Sequence, residues 1–306
     1  MSNYVGEFAG ITTALLWAFG TLLAARAGRH VGSNAVNELR LLIALPVLMV
    51  VHRLWLGAFW PTGIAVEARA WLSISGFVGL ALGDMCYFAS ITRIGPRLGA
   101  LLMATAPAMT AVLARIVLDE TLGGWQLLGL LVTSLGIALV LADRHGRREW
   151  DADLTRAQLV VGAILGLLGA LGQALGNVLS KLGAGTGASE MHPLSAVVVR
   201  MTAGTLGVLV IAIVLGRLGK SLRAMRRREV RGPILLAVVL GPTLGVSLYQ
   251  VAIQRTDAAV AAILVSLTPI YLIPIARIAY GSRITWRAVT GTVTAVIGIA
   301  LLMVRA

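Results

Sequence analysis

The sequence predicts an all-α polytopic membrane protein, with ten transmembrane helices built as two inverted five-helix repeats. Three observations carry that prediction. Apolar runs near 20 residues long recur along all 306 residues, long enough at 1.5 Å per residue to cross a hydrocarbon core of roughly 30 Å. The chain also repeats itself: adding 162 turns Gly79, Leu82, Gly83, Tyr87, Ile91 and Arg93 into Gly241, Leu244, Gly245, Tyr249, Ile253 and Arg255. The register continues without a gap from Ala100, Pro107, Arg115, Gly129 and Gly136 to Ala262, Pro269, Arg277, Gly291 and Gly298. A repeat of this kind fixes the architecture before anything else is read. Finally, each copy carries five spans, and an odd number forces the second copy to enter the membrane upside down. Inverted repeats around a midplane site are a common build of secondary transporters.

Composition narrows the class. Hydrophobic residues make up 58% of the chain, charged residues 13%, and mean hydropathy is +0.88, against about 25% charged residues in a soluble domain. The alternation of a membrane β-barrel is missing. The net charge of +13 does not point to nucleic acid, because the basic residues collect in short loops where they meet headgroups or set topology. Cys86 is the single cysteine, so no intrachain disulfide can form. The acidic start with Glu7, before a run long enough to stay in the membrane, does not read as a cleaved signal peptide.

The first repeat covers residues 1–142. Span one, about 8–26, carries Thr13, Trp17 and Thr21 at helical spacing; Trp17 could stack on a solute or simply pack. Span two, about 36–56, opens with Glu38 and Arg40, two apart and therefore on different faces. Span three, about 70–91, holds Gly79 and Gly83 for close helix approach and then Asp84, with Tyr87 one turn on. An intramembrane carboxylate must face a cavity or a partner. Asp84 is read either as a solute-amine contact or proton site, or as a buried pair with a nearby arginine. Span four, about 97–117, contains Pro107, which frees a helix carbonyl and so kinks the helix or marks a cavity wall. Glu120, in the short loop before span five (about 124–142), reads as a helix-start cap.

A polar break over 143–157, with Trp150 inside it, separates the halves, and the second repeat covers 158–306. Span six, about 158–180, has Gln173, Asn177 and Ser180 on one polar face and a run of glycines on another. Gln173 and Asn177 are the counterparts of Trp17 and Thr21, which suits a shared cavity wall; interhelical hydrogen-bond glue is the alternative. Span seven, about 193–216, carries Arg200 opposite Arg40. The two arginines could neutralise a solute carboxylate, or serve as helix-end residues that snorkel or pair with an acid. Span eight, about 232–254, brings Tyr249, expected to approach Tyr87, with Gln250 beside it. Span nine, about 258–280, has Pro269, and span ten runs over about 286–304.

Trp55, Trp60, Trp71, Trp125, Trp150 and Trp286 fall at span ends or in loops, as an interfacial belt requires. Loops after odd-numbered spans hold 18 basic residues and the other side, termini included, holds 6. Positive-inside counting therefore places both termini outside the cytoplasm. The histidines, His30, His52, His145 and His192, have no metal spacing, and no HExxH, GxSxG or CxxC occurs.

Read together, Glu38-Leu39-Arg40-Leu41-Leu42, Gly83-Asp84-Met85-Cys86-Tyr87-Phe88-Ala89, Ile94-Gly95-Pro96, Pro107 and Glu120-Thr121-Leu122 before Gln126, Gly129 and Gly136 resemble the drug/metabolite transporter superfamily. Within it, the chain is similar to the ten-span EamA-type transporters. The resemblance covers nearly the whole chain in two tandem copies. It implies a basket in which spans one to four and six to nine line a central cavity, with five and ten at the periphery. It also implies outward transport of amino acids, other small metabolites or drugs by alternating access, with both termini in the cytoplasm, opposite to the loop count. The second copy departs from the first: Val246 stands for Asp84 and Ser282 for Glu120, so any role of those carboxylates is one-sided.

The expected function is thus a secondary-active exporter, not an enzyme, in the cell (inner) membrane as a multi-pass monomer. Its partners would be a small-molecule substrate, membrane lipid and, if gradient-coupled, protons, with no nucleic acid, cofactor or metal. The expected substrate site gathers Trp17, Thr21, Asp84, Tyr87, Gln173, Asn177, Tyr249 and Gln250, with Asp84, Glu38, Arg40 and Arg200 as the charges. A membrane-embedded enzyme on lipid-linked substrates and a channel are the alternatives.

Overall fold

The computed structural model describes residues 4–141, 155–185, 190–271, 274–275 and 285–303. Trp150, Arg277, Ser282 and most of the inter-repeat break lie outside the described residues. Among those described, six helices are long and apolar enough to cross a membrane and four more are shorter and apolar. They follow the expected order of spans.

Span one is α1 (Val5–Val31) and span two α2 (Ser33–Leu56), joined by Gly32 at φ 82°, a conformation that favours glycine. Span three is α3 (Val66–Gly76), then a π-helical stretch over Phe77–Gly83, then the start of α4 (Asp84–Met103). The helical backbone of α4 doubles back: a Cβ on Gly99 would meet Ile91, eight residues earlier, whereas a straight helix separates such residues by about 12 Å. That fold-back is the boundary between spans three and four. Span four continues as α5 (Ala106–Val117), and span five is α6 (Gly124–Leu141).

The second half repeats this plan. Span six is α7 (Arg156–Ala184), started by a reciprocal capping box between Thr155 and Gln158. Span seven is α8 (Pro193–Val214) and is followed by a short helix, α9 (Leu218–Ala224). Span eight is α10 (Arg228–Val238), a second π-helical stretch over Val239–Gly245, and α11 (Val246–Arg255). Span nine begins with α12 (Ala258–Val265), and span ten is α13 (Trp286–Leu302). The two π-helical stretches are 162 residues apart at both ends, so the duplication extends to a backbone irregularity that the residue pattern alone does not announce.

The prolines act differently from the expectation for Pro107 and Pro269. Neither lies in an uninterrupted helix: the chain makes a turn at 104–105 and again at 266–267, and each proline sits in the first turn of the helix that restarts, where its missing N–H costs nothing. Thr105 and Thr268 cover the breaks, their hydroxyls donating to Leu102 O at 2.6 Å and Val265 O at 2.8 Å.

The inversion is visible in how equivalent helices meet. In spans five and ten, Gly129 packs on Gly298 and Gly136 on Gly291. Each glycine thus faces the counterpart of the other, which requires the two equivalent helices to run antiparallel. Spans two and seven also run antiparallel: Thr205 reaches Leu41 O at one end and Ser195 reaches His52 at the other. The cross-pairings obey the same two-fold rule. Span six lays its glycines along span three, with Gly162 on Ile94, Gly169 on Tyr87, Gly172 on Gly83 and Gly176 on Gly79, while span one lies along span eight with Gly20 on Gly241. Ser75 and Ser90 donate across the close approach to Gly176 O at 2.6 Å and Gly162 O at 2.8 Å. The outward faces keep large apolar residues such as Ile116, Leu131, Val214 and Val293, as lipid contact allows.

A substitution tests the zipper. A Cβ on Gly136 would already collide with the backbone of Gly291 and Ala295, so Gly136→Leu should cost at least the ~1–3 kcal/mol of an overpacked contact. The measurement is the melting temperature in detergent; an unchanged value would mean that spans five and ten do not pack this way.

Candidate substrate site

Two helices of the first half and one of the second carry a line of polar side chains into the protein's middle. The π-helical turn ends at Gly83, and Asp84 follows it, 8% exposed. Arg40 Nη2 is 3.4 Å from Asp84 Oδ2 and also donates to Asn37 Oδ1 at 3.2 Å. From span six, Gln173 Nε2 donates to Asp84 Oδ1 at 2.8 Å and to Gly79 O at 3.2 Å. The result is a chain, Asn37–Arg40–Asp84–Gln173, that fastens span two to span three and both to the opposite half. Wide turns of the π type recur at functional sites because they release backbone carbonyls and re-aim the next residue, and Gly79 O is used in that way here.

At the symmetry-related place the chemistry is apolar. Val246 stands for Asp84, and Trp17, the counterpart of Gln173, presses its indole against Gly245 and takes Tyr249 edge-on, with ring centroids 5.6 Å apart at 62°. The two exchanges go together: acid with amide on one side, valine with tryptophan on the other. Thr13, one turn before Trp17, donates to Gly245 O at 3.3 Å.

The other expected residues divide. Tyr87 lies next to Asp84, its backbone against Gly169 and its ring tilted on Phe88 at 5.7 Å. Tyr87 and Tyr249 share no ring contact among the described residues, so the expected meeting of the two tyrosines is not made. Gln250 is fully buried and accepts from Ser180 Oγ at 2.7 Å; Asn177 is also buried, with Oδ1 unpartnered. Thr21 is exposed and stands apart from the rest. Glu38 belongs to a different place: it accepts from Ser221 Oγ at 2.5 Å and faces Arg217 Nε at 3.8 Å. Arg200, which a helix-end reading would send to the headgroups, is 3% exposed.

Ties between the halves stand at both ends of the bundle, Glu38 with Ser221 and Arg217 at one and a larger set at the other. On the side of the basic loops, Asn34, Asn37, Glu38, Met85, Ile211 and Arg217 line a crevice that reaches the neighbour of Asp84 and the acceptor of Arg40. The opposite side is tied across the halves. His52 meets Ser195 at 3.0 Å, Gln126 donates to Asp257 at 3.3 Å, and Glu120 pairs with Lys181 while accepting from Ala258 N at 2.8 Å. Glu120 therefore caps span nine in the other half, not its own next helix as its loop position suggests. His192 caps span seven there by accepting from Leu194 N at 3.2 Å; burial and nearby His52 lower its pKa, which keeps the ring a neutral acceptor.

The EamA-like transporter family model matches residues 4–142 and again 160–304. The chain belongs to the EamA-like transporter family. This membership makes it a multi-pass membrane transporter of the drug/metabolite type. The chain is also 31% identical over 70 residues to the uncharacterized transporter YyaM of Bacillus subtilis (strain 168), a stretch that covers 23% of this chain and 23% of that relative. A solved crystal structure of a protein superimposes with a TM-score of 0.72 at 16% identity over 98% of both chains, which shows a common fold.

Proposed function

We propose that this EamA-family transporter is a secondary-active exporter of amino acids or similar small metabolites or drugs. It works by alternating access around the polar line at Asp84, as a monomer in the cell (inner) membrane, without catalysis or cofactor. One observation carries the reading. Arg40–Asp84–Gln173 joins the two inverted halves through ionic and polar bonds at their crossing, beside an apolar wall to which the first repeat gives Trp17 and the second Tyr249 and Val246. A cavity lined by apolar surface with a few fixed polar groups is what small-molecule sites are made of, and a site between repeats is where rocking motion exposes it alternately. The crevice on the side of the basic loops and the more numerous ties on the other support a carrier caught in one facing state.

Reconstituted protein decides the matter. Vesicles preloaded with unlabelled solute from a metabolite panel are expected to accumulate the labelled solute transiently and with saturation. A linear, unsaturable conductance would replace the carrier with a channel, and chemical conversion of a lipid-linked substrate without flux would replace it with an enzyme.

A further inference from the structure

Among the described residues, Arg200 is a buried cation without an ion-pair partner. It is 3% exposed, makes no ion pair among the described residues, and its Nε has no hydrogen-bond partner. The backbone of Arg200 is pressed against Gly76. Its guanidinium lies over the seam where Gly79 meets Gly176, close enough that a Cβ on either glycine would stand 3.3–3.4 Å from Nη2.

The pseudo-symmetry explains the missing partner. Arg40 and Arg200 occupy equivalent places, and Arg40 pairs with Asp84. The position equivalent to Asp84 is Val246, which shares a buried cluster with Val197, Val198 and Met201, residues next to Arg200 on the same helix. The second repeat therefore keeps the arginine and has lost the acid. Asp84 and Tyr249 are near enough to act on Arg200 electrostatically, but Asp84 is outside ion-pair distance of it and already holds Arg40 and Gln173. Glu38 and Glu120 are engaged elsewhere, with Arg217 and Lys181. Two guanidiniums and one carboxylate leave the centre with one positive charge in excess. A guanidinium does not shed its proton, and an unpaired charge in a low-dielectric interior is strongly unfavourable. A bound anion of charge −1 removes the excess.

We infer that Arg200 is the site that binds the carboxylate of the transported solute. A planar carboxylate matches the guanidinium fork with two parallel hydrogen bonds and supplies one charge, where a phosphate dianion would overcompensate. Asp84, occupied by Arg40, is not available to an ammonium group. The carboxylate, whether or not an amino group accompanies it, is then the group that is selected. This rests on the proposed transporter function only for the word "transported"; the binding itself is measured apart from flux.

The test uses the purified full chain in detergent, with calorimetric binding and thermal melting as readouts. The probes are acetate, phenylpropionate, phenylalanine, phenylpropionamide and phenethylamine, with sodium chloride and inorganic phosphate as controls. Phenylpropionate or phenylalanine is expected to bind at least tenfold more tightly than the amide and the amine. Arg200→Gln should lose that preference at least tenfold, and Arg200→Lys should retain part of it. Val246→Asp puts back the acid that symmetry lacks: it should raise the melting temperature while cutting carboxylate affinity at least tenfold, opposite signs that a merely damaged protein does not give. Carboxylate and amide binding equally, no carboxylate of the panel binding, chloride or phosphate displacing them at equal concentration, or Val246→Asp lowering the melting temperature with affinity unchanged would each overturn the inference. Counterflow run beside these assays separates the two readings. Arg200-dependent binding without counterflow removes the transporter and keeps the site, and counterflow indifferent to Arg200→Gln does the reverse.

Discussion

Asp84→Ala is expected to destabilise the folded protein by about 3 kcal/mol and to abolish counterflow. Removing one member of a buried ion pair leaves the other charge uncompensated, an effect of roughly 3–5 kcal/mol when both are fully enclosed. The lower end applies because the Arg40 side chain keeps 29% exposure against 12% for Asp84. The loss also frees Gln173 and so unfastens span six from span three. The comparison that isolates the pair is a double variant, Asp84→Leu with Arg40→Met. Replacing both charges by apolar groups of similar size should recover most of the melting temperature, since a well-packed apolar pair often equals a buried salt bridge, while transport stays lost. If the double variant melts as low as Asp84→Ala, the stability comes from packing and not from the charges. Asp84→Asn keeps the shape and much of the hydrogen bonding. Should Asp84 be the proton site, this variant loses uptake driven by a pH gradient and retains solute exchange; gradient-driven uptake at the wild-type level would remove that role.

The duplication, the number of spans and the inversion were legible because they rest on periodicity and on a repeat that conserves glycine, proline and arginine in register. Asp84 stood out for the same reason, as the mismatch against Val246. What the residues did not disclose depended on distance in the fold. Asp84 finds Arg40 44 positions away and Gln173 89 positions away, and no local pattern announces either bond. The π-helical turns carry no residue signature beyond glycines that serve equally well for packing. Glu120 looked local because its loop is short, yet the helix it caps is 138 positions on. The paired exchange of Asp84 and Gln173 for Val246 and Trp17 is written in the sequence, but it becomes meaningful only once spans one and eight, and six and three, are known to touch. The tyrosines show the opposite error. Equivalent positions in inverted halves face a common axis, but the tilt of each helix decides whether the rings meet, and Tyr249 takes Trp17 instead of Tyr87.

Glu120→Ala should open the tied side. Lys181 and Glu120 are each only 12% exposed at the side chain, so loss of the carboxylate leaves an ammonium held among span ends with Thr256 O as its remaining acceptor among the described residues. It also removes the acceptor at Ala258 N, the first donor of span nine. Asp257, the residue placed to cap that helix, makes no side-chain cap there and instead takes Gln126, so nothing substitutes for Glu120 without breaking a second tie. A lost helix cap is worth about 0.5–2 kcal/mol, and the stranded lysine adds to it, so a total near 3 kcal/mol is expected. The conformational consequence distinguishes a latch from a brace. If the tie holds one facing state, Glu120→Ala lowers the barrier to opening on that side. A cysteine placed at Ser195, in a background with Cys86 replaced by serine, should then react with an impermeant maleimide at least tenfold faster than in the parent. Glu120→Gln, which can still accept from Ala258 N, should restore part of the melting temperature but not the slow labelling, because Lys181 stays unpaired. A brace predicts the other pattern, in which both variants melt lower and labelling at Ser195 does not change. The two-fold plan builds the same ends in both halves, but only the first repeat keeps the acid, so among the ties on this side, which include His52–Ser195 and Gln126–Asp257, Glu120 supplies the one ion pair and the cap of span nine.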